Sequence, residues 1–211
     1  MGRQPKISLL LLGLILFLAS CTSMRQPSPR IDYYTLEYAP PLAGERKPVH
    51  RVIKVARFSA APLYSTAQII YRDRPFKREA YTYHRWRSTP ADLVTYFLSR
   101  DLKQSGLFKA VLPHDSGQSS DFIIDGSVDE FLEWDQEDSW EAALTFSVTL
   151  MAANEPDISR RVLFQKTYQG RSPCRQKNPR ALAEAMSEAM AGLSAKVIAD
   201  VYEALNKQIR E

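Results

Sequence analysis

A run of acidic side chains is the first candidate for chemistry in this sequence. Residues 129–141 contain seven carboxylates: Asp129, Glu130, Glu133, Asp135, Glu137, Asp138 and Glu141. Several carboxylate oxygens can hold Ca²⁺, and a suitably spaced pair can hydrolyse a glycosidic bond. The run lacks the spacing and the glycine of an EF-hand loop, and nothing places a sugar beside it. We therefore predict a solvated hairpin tip, with no metal or catalytic site.

The histidines and one of the two cysteines offer no clear catalytic set either. His50, His84 and His114 are widely spaced and lack a metal-ligand pattern. The sequence has no G-x-S-x-G elbow, phosphate-binding loop or H-E-x-x-H motif. For Cys174 we expect an ordinary, partly buried thiol, with an intermolecular disulfide or a reactive thiol as alternatives. The sequence therefore gives no affirmative case for an enzyme and implies no cofactor.

Cys21 is the residue whose surroundings point to a specific modification. Arg3 and Lys6 precede an apolar run of roughly ten residues, which is typical of a secretory signal peptide over residues 1–20. The run is shorter than the about 20 residues needed to span a bilayer. It ends in Leu18-Ala19-Ser20-Cys21, which is similar to a bacterial lipobox. That similarity implies cleavage before Cys21 and acylation of its sulfur and amine, for example with palmitate. An ordinary secreted protein with a chance cysteine is the alternative.

Lipidation at Cys21 would place the mature chain on a membrane surface. One acyl chain anchors a protein only marginally, whereas two or three hold it durably. The next residue is Thr22 rather than Asp, which by similarity to lipoproteins of double-membrane bacteria favours the outer membrane, with the body facing the periplasm. Residues 21–30 are polar and contain prolines, so we interpret them as a lipidated tether with a reach of roughly 25–30 Å.

The mature chain has the size of one domain and little net charge. It comprises 191 residues, enough for a substantial core. Without the leader it carries only two more basic than acidic side chains, so the basic balance is weak evidence for a nucleic-acid partner, and export argues against one. We see no internal repeat, and we predict a single domain over residues 31–211.

Hydrophobic periodicity predicts an α+β fold. Residues 122–134, 144–150 and 162–168 alternate as three successive strands, which indicates an antiparallel meander. In the first of them, Phe122, Ile124, Val128, Leu132 and Trp134 should share the buried face, with Glu133 on the wet face. Shorter strands are predicted within residues 33–36, 52–56, 67–72, 80–86 and 110–112.

Two helices complete the predicted architecture. Ser88 or Thr89 can cap a helix that Pro90 begins and Gly106 ends. A second, longer apolar stripe begins at Pro179 and continues to Leu205 at three- or four-residue spacing. We therefore expect an antiparallel sheet with two main helices packed on one face.

A basic and aromatic segment, residues 71–87, is the candidate binding surface. Tyr71, Arg72, Arg74, Arg78 and Trp86 are its candidate partner-binding residues. Such a mixture can bind RNA, but in an exported protein a protein partner or anionic lipid head groups fit better. Two strands with exposed arginines and buried aromatic side chains would give the same pattern without any partner. Trp86 beside the helix cap is expected to be structurally or interfacially important rather than catalytic.

The order of several short motifs resembles the auxiliary lipoprotein family of ABC-type transporters. The motifs are Tyr33-Tyr34-Thr35-Leu36 after the lipobox cysteine, Gln68-Ile69-Ile70-Tyr71-Arg72, Tyr83-His84-Arg85-Trp86 before the capped helix, and Gly106-Leu107-Phe108-Lys109-Ala110-Val111. The resemblance covers roughly residues 33–205. It implies a non-enzymatic role beside an ABC permease, an ATPase and an MCE-domain protein, in lipid movement between two membranes.

Two other classes of function remain open from the sequence. One is an envelope assembly lipoprotein, of the outer-membrane biogenesis or secretin-pilot type. The other is a periplasmic hydrolase, which would need a pocket with converging polar groups and shifted pKa values. The transported cargo and the oligomeric state, including a possible homo-oligomer, do not follow from the sequence.

Overall fold

The computed structural model of the protein describes residues 29–42, 44, 46–136 and 139–208. The chain divides into two compact units, Met1–Arg30 and Ile31–Glu211, and the second unit is described below. The signal peptide, Cys21 and most of the predicted tether lie outside the described residues.

The described part of the chain forms nine strands, a short 3₁₀ turn at Pro62–Tyr64 and three α-helices. The strands are β1 (Asp32–Tyr34), β2 (Val49–Val55), β3 (Ser59–Ala60), β4 (Gln68–Arg72), β5 (Glu79–Trp86), β6 (Phe108–Leu112), β7 (Phe122–Asp135), β8 (Trp140–Ala152) and β9 (Val162–Pro173). The helices are α1 (Pro90–Gln104), α2 (Ile158–Arg161) and α3 (Pro179–Gln208). The α+β class is confirmed.

The long strand β7 organises the sheet. One edge of β7 pairs with β8 in antiparallel register from Phe122 to Asp135, and β9 continues this meander. Its other edge pairs in parallel with three strands in succession: β2 at residues 122–124, β3 at 127–128 and β4 at 132–134. The three strands β2, β3 and β4 therefore follow one another along β7.

The sheet is mixed, which corrects the expectation of a purely antiparallel sheet. The predicted meander is antiparallel, and so is the β4–β5 hairpin. The strands β1 and β5, β2 and β6, and β7 with its neighbours β2 to β4 pair in parallel. Alternation of side chains gives the exposed face of a strand but not its direction, because both pairings have the same period of two.

The two main helices form as their sequence signals predict. The Thr89 side chain accepts a hydrogen bond from the Asp92 amide at 3.3 Å, and Pro90 occupies the first turn of α1. Gly106 follows α1 at φ 66°, in the left-handed region that favours glycine. Helix α3 packs on β8 and β9, while α1 packs on β6 and β7 and contacts α3. The connection between β8 and β9 contains the short helix α2.

A bulge in β7 changes which of its side chains are buried. The register with β8 shifts between Val128 and Glu130, so that Asp129 is the extra residue. Beyond the bulge, Phe131 and Glu133 share the face of Val128, whereas Leu132 moves to the other face. Glu133 is therefore buried, at 3 % exposure, and the prediction that it lies on a wet face is wrong. The alternating pattern cannot show an inserted residue.

Candidate functional site

The β4–β5 hairpin carries most of the basic and aromatic segment that the sequence singled out. Its strands pair at Ile70 with Ala80 and at Tyr71 with Glu79. The connecting residues 73–78 form what we call the hairpin tip. Because β4 runs parallel to β7 with Arg72 opposite Trp134, the hairpin tip and the β7–β8 turn lie at the same end of the sheet.

Two guanidinium groups stack against one indole at the end of β4, next to the hairpin tip. The Cζ of Arg72 lies 4.1 Å from the centroid of the Trp134 ring, and the Cζ of Arg171 lies 3.7 Å from it. Such cation–π contacts hold a cation by the ring quadrupole without a formal counter-charge. Arg171 also lies 3.5 Å from a carboxylate oxygen of Glu141. The guanidinium of Arg72 is thus positioned by β7 rather than by a partner on its own hairpin.

Tyrosine hydroxyl groups join the hairpin to the buried carboxyl of Glu133. The Tyr81 hydroxyl donates to both Glu133 carboxylate oxygens, at 3.0 and 3.1 Å. Burial raises the pKa of Glu133 above its usual value, and burial and the adjacent Glu133 charge raise the pKa of Tyr81. The Tyr71 ring lies 5.1 Å from that of Tyr81. These contacts stabilise the stem of the hairpin.

Tyr71 is a positioning residue for the hairpin. Its hydroxyl donates to the Glu79 carboxylate, and the Lys77 ammonium group pairs with the same carboxylate. The hydrogen bond to Glu79, supported by desolvation, raises the pKa of Tyr71 to about 12. The phenol therefore stays protonated at neutral pH and serves as a hydrogen-bond donor.

The other predicted contact residues differ in their accessibility. The Arg74 side chain is 67 % exposed and its Nε lies 3.5 Å from Asp73. Arg78 is partly buried and donates from Nη1 to the Lys77 carbonyl at 3.0 Å. Trp86 is 1 % exposed and packs edge-on against Phe131, with ring centroids 5.1 Å apart. Trp86 is therefore removed from the predicted contact surface, because its side chain lies in the core.

Phe76 is the feature of this surface that the sequence reasoning missed. It lies at the hairpin tip, is fully exposed and has a φ of 64°, which non-glycine residues rarely adopt. An apolar residue among Arg74, Lys77 and Arg78 was the available signal, but its full exposure and backbone conformation could not be inferred from neighbouring residues.

The acidic run does not assemble a metal site in the described residues. Asp135 pairs with the Lys177 ammonium group at 2.8 Å, Glu130 accepts a hydrogen bond from Thr145, and Glu133 is held by Tyr81. Glu137 and Asp138 lie outside the described residues. The described carboxylates of the run therefore lie in β7 and β8 rather than in a solvated hairpin tip, and most of them are engaged with neighbouring side chains.

Cys174 is a half-buried thiol beside this end of the sheet. Burial, with a contribution from the Glu133 charge, raises its pKa to about 11. Because the thiolate is the nucleophilic form, this environment disfavours reactivity.

Among the described residues, no helix has both the length and the apolar character needed to cross a bilayer.

The chain belongs to a family of lipoproteins that accompany transporters. The model of the ABC-type transport auxiliary lipoprotein component family matches residues 34–198, which include the hairpin, the meander and most of α3. Members of a lipoprotein family of this kind reside in the cell envelope. The expected family is therefore confirmed, and its name implies an association with an ABC-type transport system.

Solved structures show that the fold recurs in distant sequences. A Xanthomonas campestris protein is 19 % identical, with a TM-score of 0.74 over 86 % of this chain and 99 % of that chain. A hypothetical protein from Chlamydia trachomatis is 9 % identical, with a TM-score of 0.52 over 74 % of this chain and 98 % of that chain. No curated protein matches the chain. At these identities the likeness shows the fold alone.

Proposed function

We propose that the protein is a non-catalytic docking component of an ABC/MCE-type lipid transport system, anchored in the outer membrane and facing the periplasm. The observation that carries the proposal is the family match over residues 34–198. The components that the family resemblance implies are an ABC permease, an ATPase and an MCE-domain protein, and the lipoprotein would form the outer-membrane end of their assembly.

The side chains with shifted pKa values support a scaffold rather than a catalyst. Burial raises the pKa of both Tyr81 and Glu133, and the charge of Glu133 and the hydrogen bond to it raise the pKa of Tyr81 further. Burial and a hydrogen bond to Asp200 likewise raise the pKa of Tyr168. The Tyr168 hydroxyl donates to Asp200 at 2.7 Å and so ties β9 to α3. Each of these groups joins two elements of the fold, which gives an interaction surface the rigidity that limits the entropic cost of binding.

Cys21 is proposed as the membrane anchor. In Cys21→Ala the sulfur that would carry the diacylglycerol is gone, so we expect complete loss of palmitate label and accumulation of precursor. Metabolic labelling followed by gel electrophoresis measures both. Cys174→Ala is the matched control and should keep full label. Unchanged label on Cys21→Ala would rule out this anchor.

The surface proposed for the protein partner comprises Arg72, Arg74 and Arg78, with Tyr71 supporting them from the hairpin stem. The Arg74 guanidinium is well exposed, and Arg72 is held against Trp134. Cations at the rim of an interface steer association and make it salt-sensitive. We therefore expect that reversing the three arginines to Glu weakens recovery of the MCE partner by at least about tenfold, since like-charge contacts cost several kcal/mol.

The control for this experiment reverses three cations elsewhere on the surface. Lys109, Arg160 and Lys166 are all exposed, so their replacement by Glu changes the net charge equally. We expect this control to recover the partner at the wild-type level in the same pull-down. Equal recovery by both triple variants, with unchanged circular dichroism, would show that the hairpin does not bind the partner.

A further inference from the structure

We propose that the hairpin tip rests on a phospholipid bilayer, with Phe76 inserted at the boundary between head groups and acyl chains. Arg74 and Lys77 would lie at the level of the lipid phosphates. Within the hairpin, Phe76 and Lys77 would contact lipid, Arg72 and Arg78 would contact the protein partner, and Arg74 would lie where the two surfaces meet.

Phe76 combines two features that a purely structural residue would not have together. Its side chain is fully exposed, and its φ of 64° lies in the left-handed region. For a non-glycine residue this conformation costs about 1–2 kcal/mol, and here burial of the ring in the folded domain provides no compensation. Asn or Gly would adopt the same backbone with less strain. A strained, solvent-exposed aromatic residue at a loop tip indicates a contact outside the domain.

The residues around Phe76 have the composition of an interfacial anchor. Residues 72–79 contain four basic and two acidic side chains. Asp73 lies between the Arg74 and Lys77 cations, at 3.5 and 3.6 Å, so part of the charge is compensated. In such an anchor the apolar ring lies below the lipid head groups, and the long side chains beside it keep their cations at the phosphates. Insertion of the ring is therefore the main contribution, and attraction to anionic lipid is a smaller one.

The direction of β1 shows from which end of the sheet the chain enters it. Strand β1 is parallel to β5, with Asp32 opposite His84, so the chain enters β1 from the end of the sheet where β5 begins. That end carries the hairpin tip. Asp32 lies at most about 17 Å along the strand from Glu79, at roughly 3.3 Å per residue.

The number of residues before β1 sets an upper limit on the distance between Cys21 and the sheet. Eleven residue steps join Cys21 to Asp32, which span at most about 36–40 Å when extended. This limit exceeds the distance of about 17 Å along the strand between Asp32 and the level of Glu79, so the length of the chain is compatible with contact between the tip and the membrane.

The test locates two exposed apolar positions relative to the bilayer in the full-length lipidated chain. Phe76→Cys and Ile158→Cys are made in a Cys174→Ser background and labelled with the same nitrobenzoxadiazole dye. Ile158 is 76 % exposed and lies in the β8–β9 connection, at the opposite end of the meander. The proteins are reconstituted into phosphatidylethanolamine vesicles with a minor fraction of phosphatidylglycerol, with and without brominated acyl chains.

We expect blue-shifted emission and several-fold stronger quenching by brominated lipid at position 76 than at position 158. Phe76→Trp and Ile158→Trp, measured without any dye as the difference from the parent protein with its three native tryptophans, should give the same order, which excludes insertion driven by the label. Equal quenching at the two positions would overturn the proposal. A change at position 76 that requires added MCE-domain protein would also overturn it, in favour of a protein contact. The comparison of the two positions is made first without any partner protein, so its failure leaves the proposed docking role untouched.

Discussion

Trp86→Ala is expected to lower the free energy of unfolding by about 3–5 kcal/mol, the range for truncating a large aromatic side chain in a core. Trp86 is 1 % exposed and ends β5 immediately before the cap of α1. Its indole packs edge-on against Phe131 of β7, with an interplanar angle of 87°. Removing it leaves a cavity between the hairpin and β7, which the surrounding strands cannot fill without losing their register.

Thermal unfolding followed by circular dichroism measures this loss. For a domain of this size each kcal/mol shifts Tm by about 2–4 °C, so a fall of roughly 6–20 °C is expected. Tyr83→Ala, on the same strand but 48 % exposed, should change stability by no more than about 0.5 kcal/mol. Equal effects of the two substitutions would mean that Trp86 does not belong to the core.

Gly126→Ala is expected to destabilise the protein by about 3 kcal/mol or more, at the upper end of what overpacking costs. A Cβ at position 126 would lie 2.2 Å from the Ser147 carbonyl oxygen and 2.5 Å from Cε1 of Phe58. The first of these atoms belongs to the backbone of β8, so relief of the clash requires the β7–β8 pairing to shift.

Gly192→Ala is the matched control for this substitution. Gly192 lies within α3, and a Cβ there would meet nothing within 4 Å. Because glycine in a helix interior costs about 0.5–1 kcal/mol relative to alanine, this control should gain stability. Urea denaturation of both variants gives the comparison. A Gly126→Ala protein as stable as the wild type would show that Phe58 and β8 do not approach β7 this closely.

The helices and the meander were predictable because their signals are local. Thr89, Pro90 and Gly106 mark both ends of α1, and the structure places the helix between them. The alternation in β7, β8 and β9 likewise depends only on neighbouring residues. The parallel pairings of β7 with β2, β3 and β4 bring together segments that are distant in the sequence, and nothing within a single strand specifies its partner.

The binding surface was predictable in composition but not in geometry. Arg72 and Arg74 were expected at a surface, yet the contact of Arg72 with Trp134 depends on the β4–β7 pairing. The burial of Glu133 depends on the bulge at Asp129, and the exposure of Phe76 depends on a backbone conformation that side-chain patterns do not encode. Trp86 was expected to be structural or interfacial, and its burial decides between the two.

The most direct test of the central proposal is affinity purification of the full-length lipidated protein from solubilised envelope membranes, with mass spectrometry of the proteins that accompany it. The proposal predicts recovery of an MCE-domain protein with its ABC permease and ATPase, and loss of that recovery when Arg72, Arg74 and Arg78 are reversed to Glu. Recovery of a barrel-assembly or secretin component instead, with no MCE or ABC component, would contradict the transport role and favour an envelope-assembly lipoprotein.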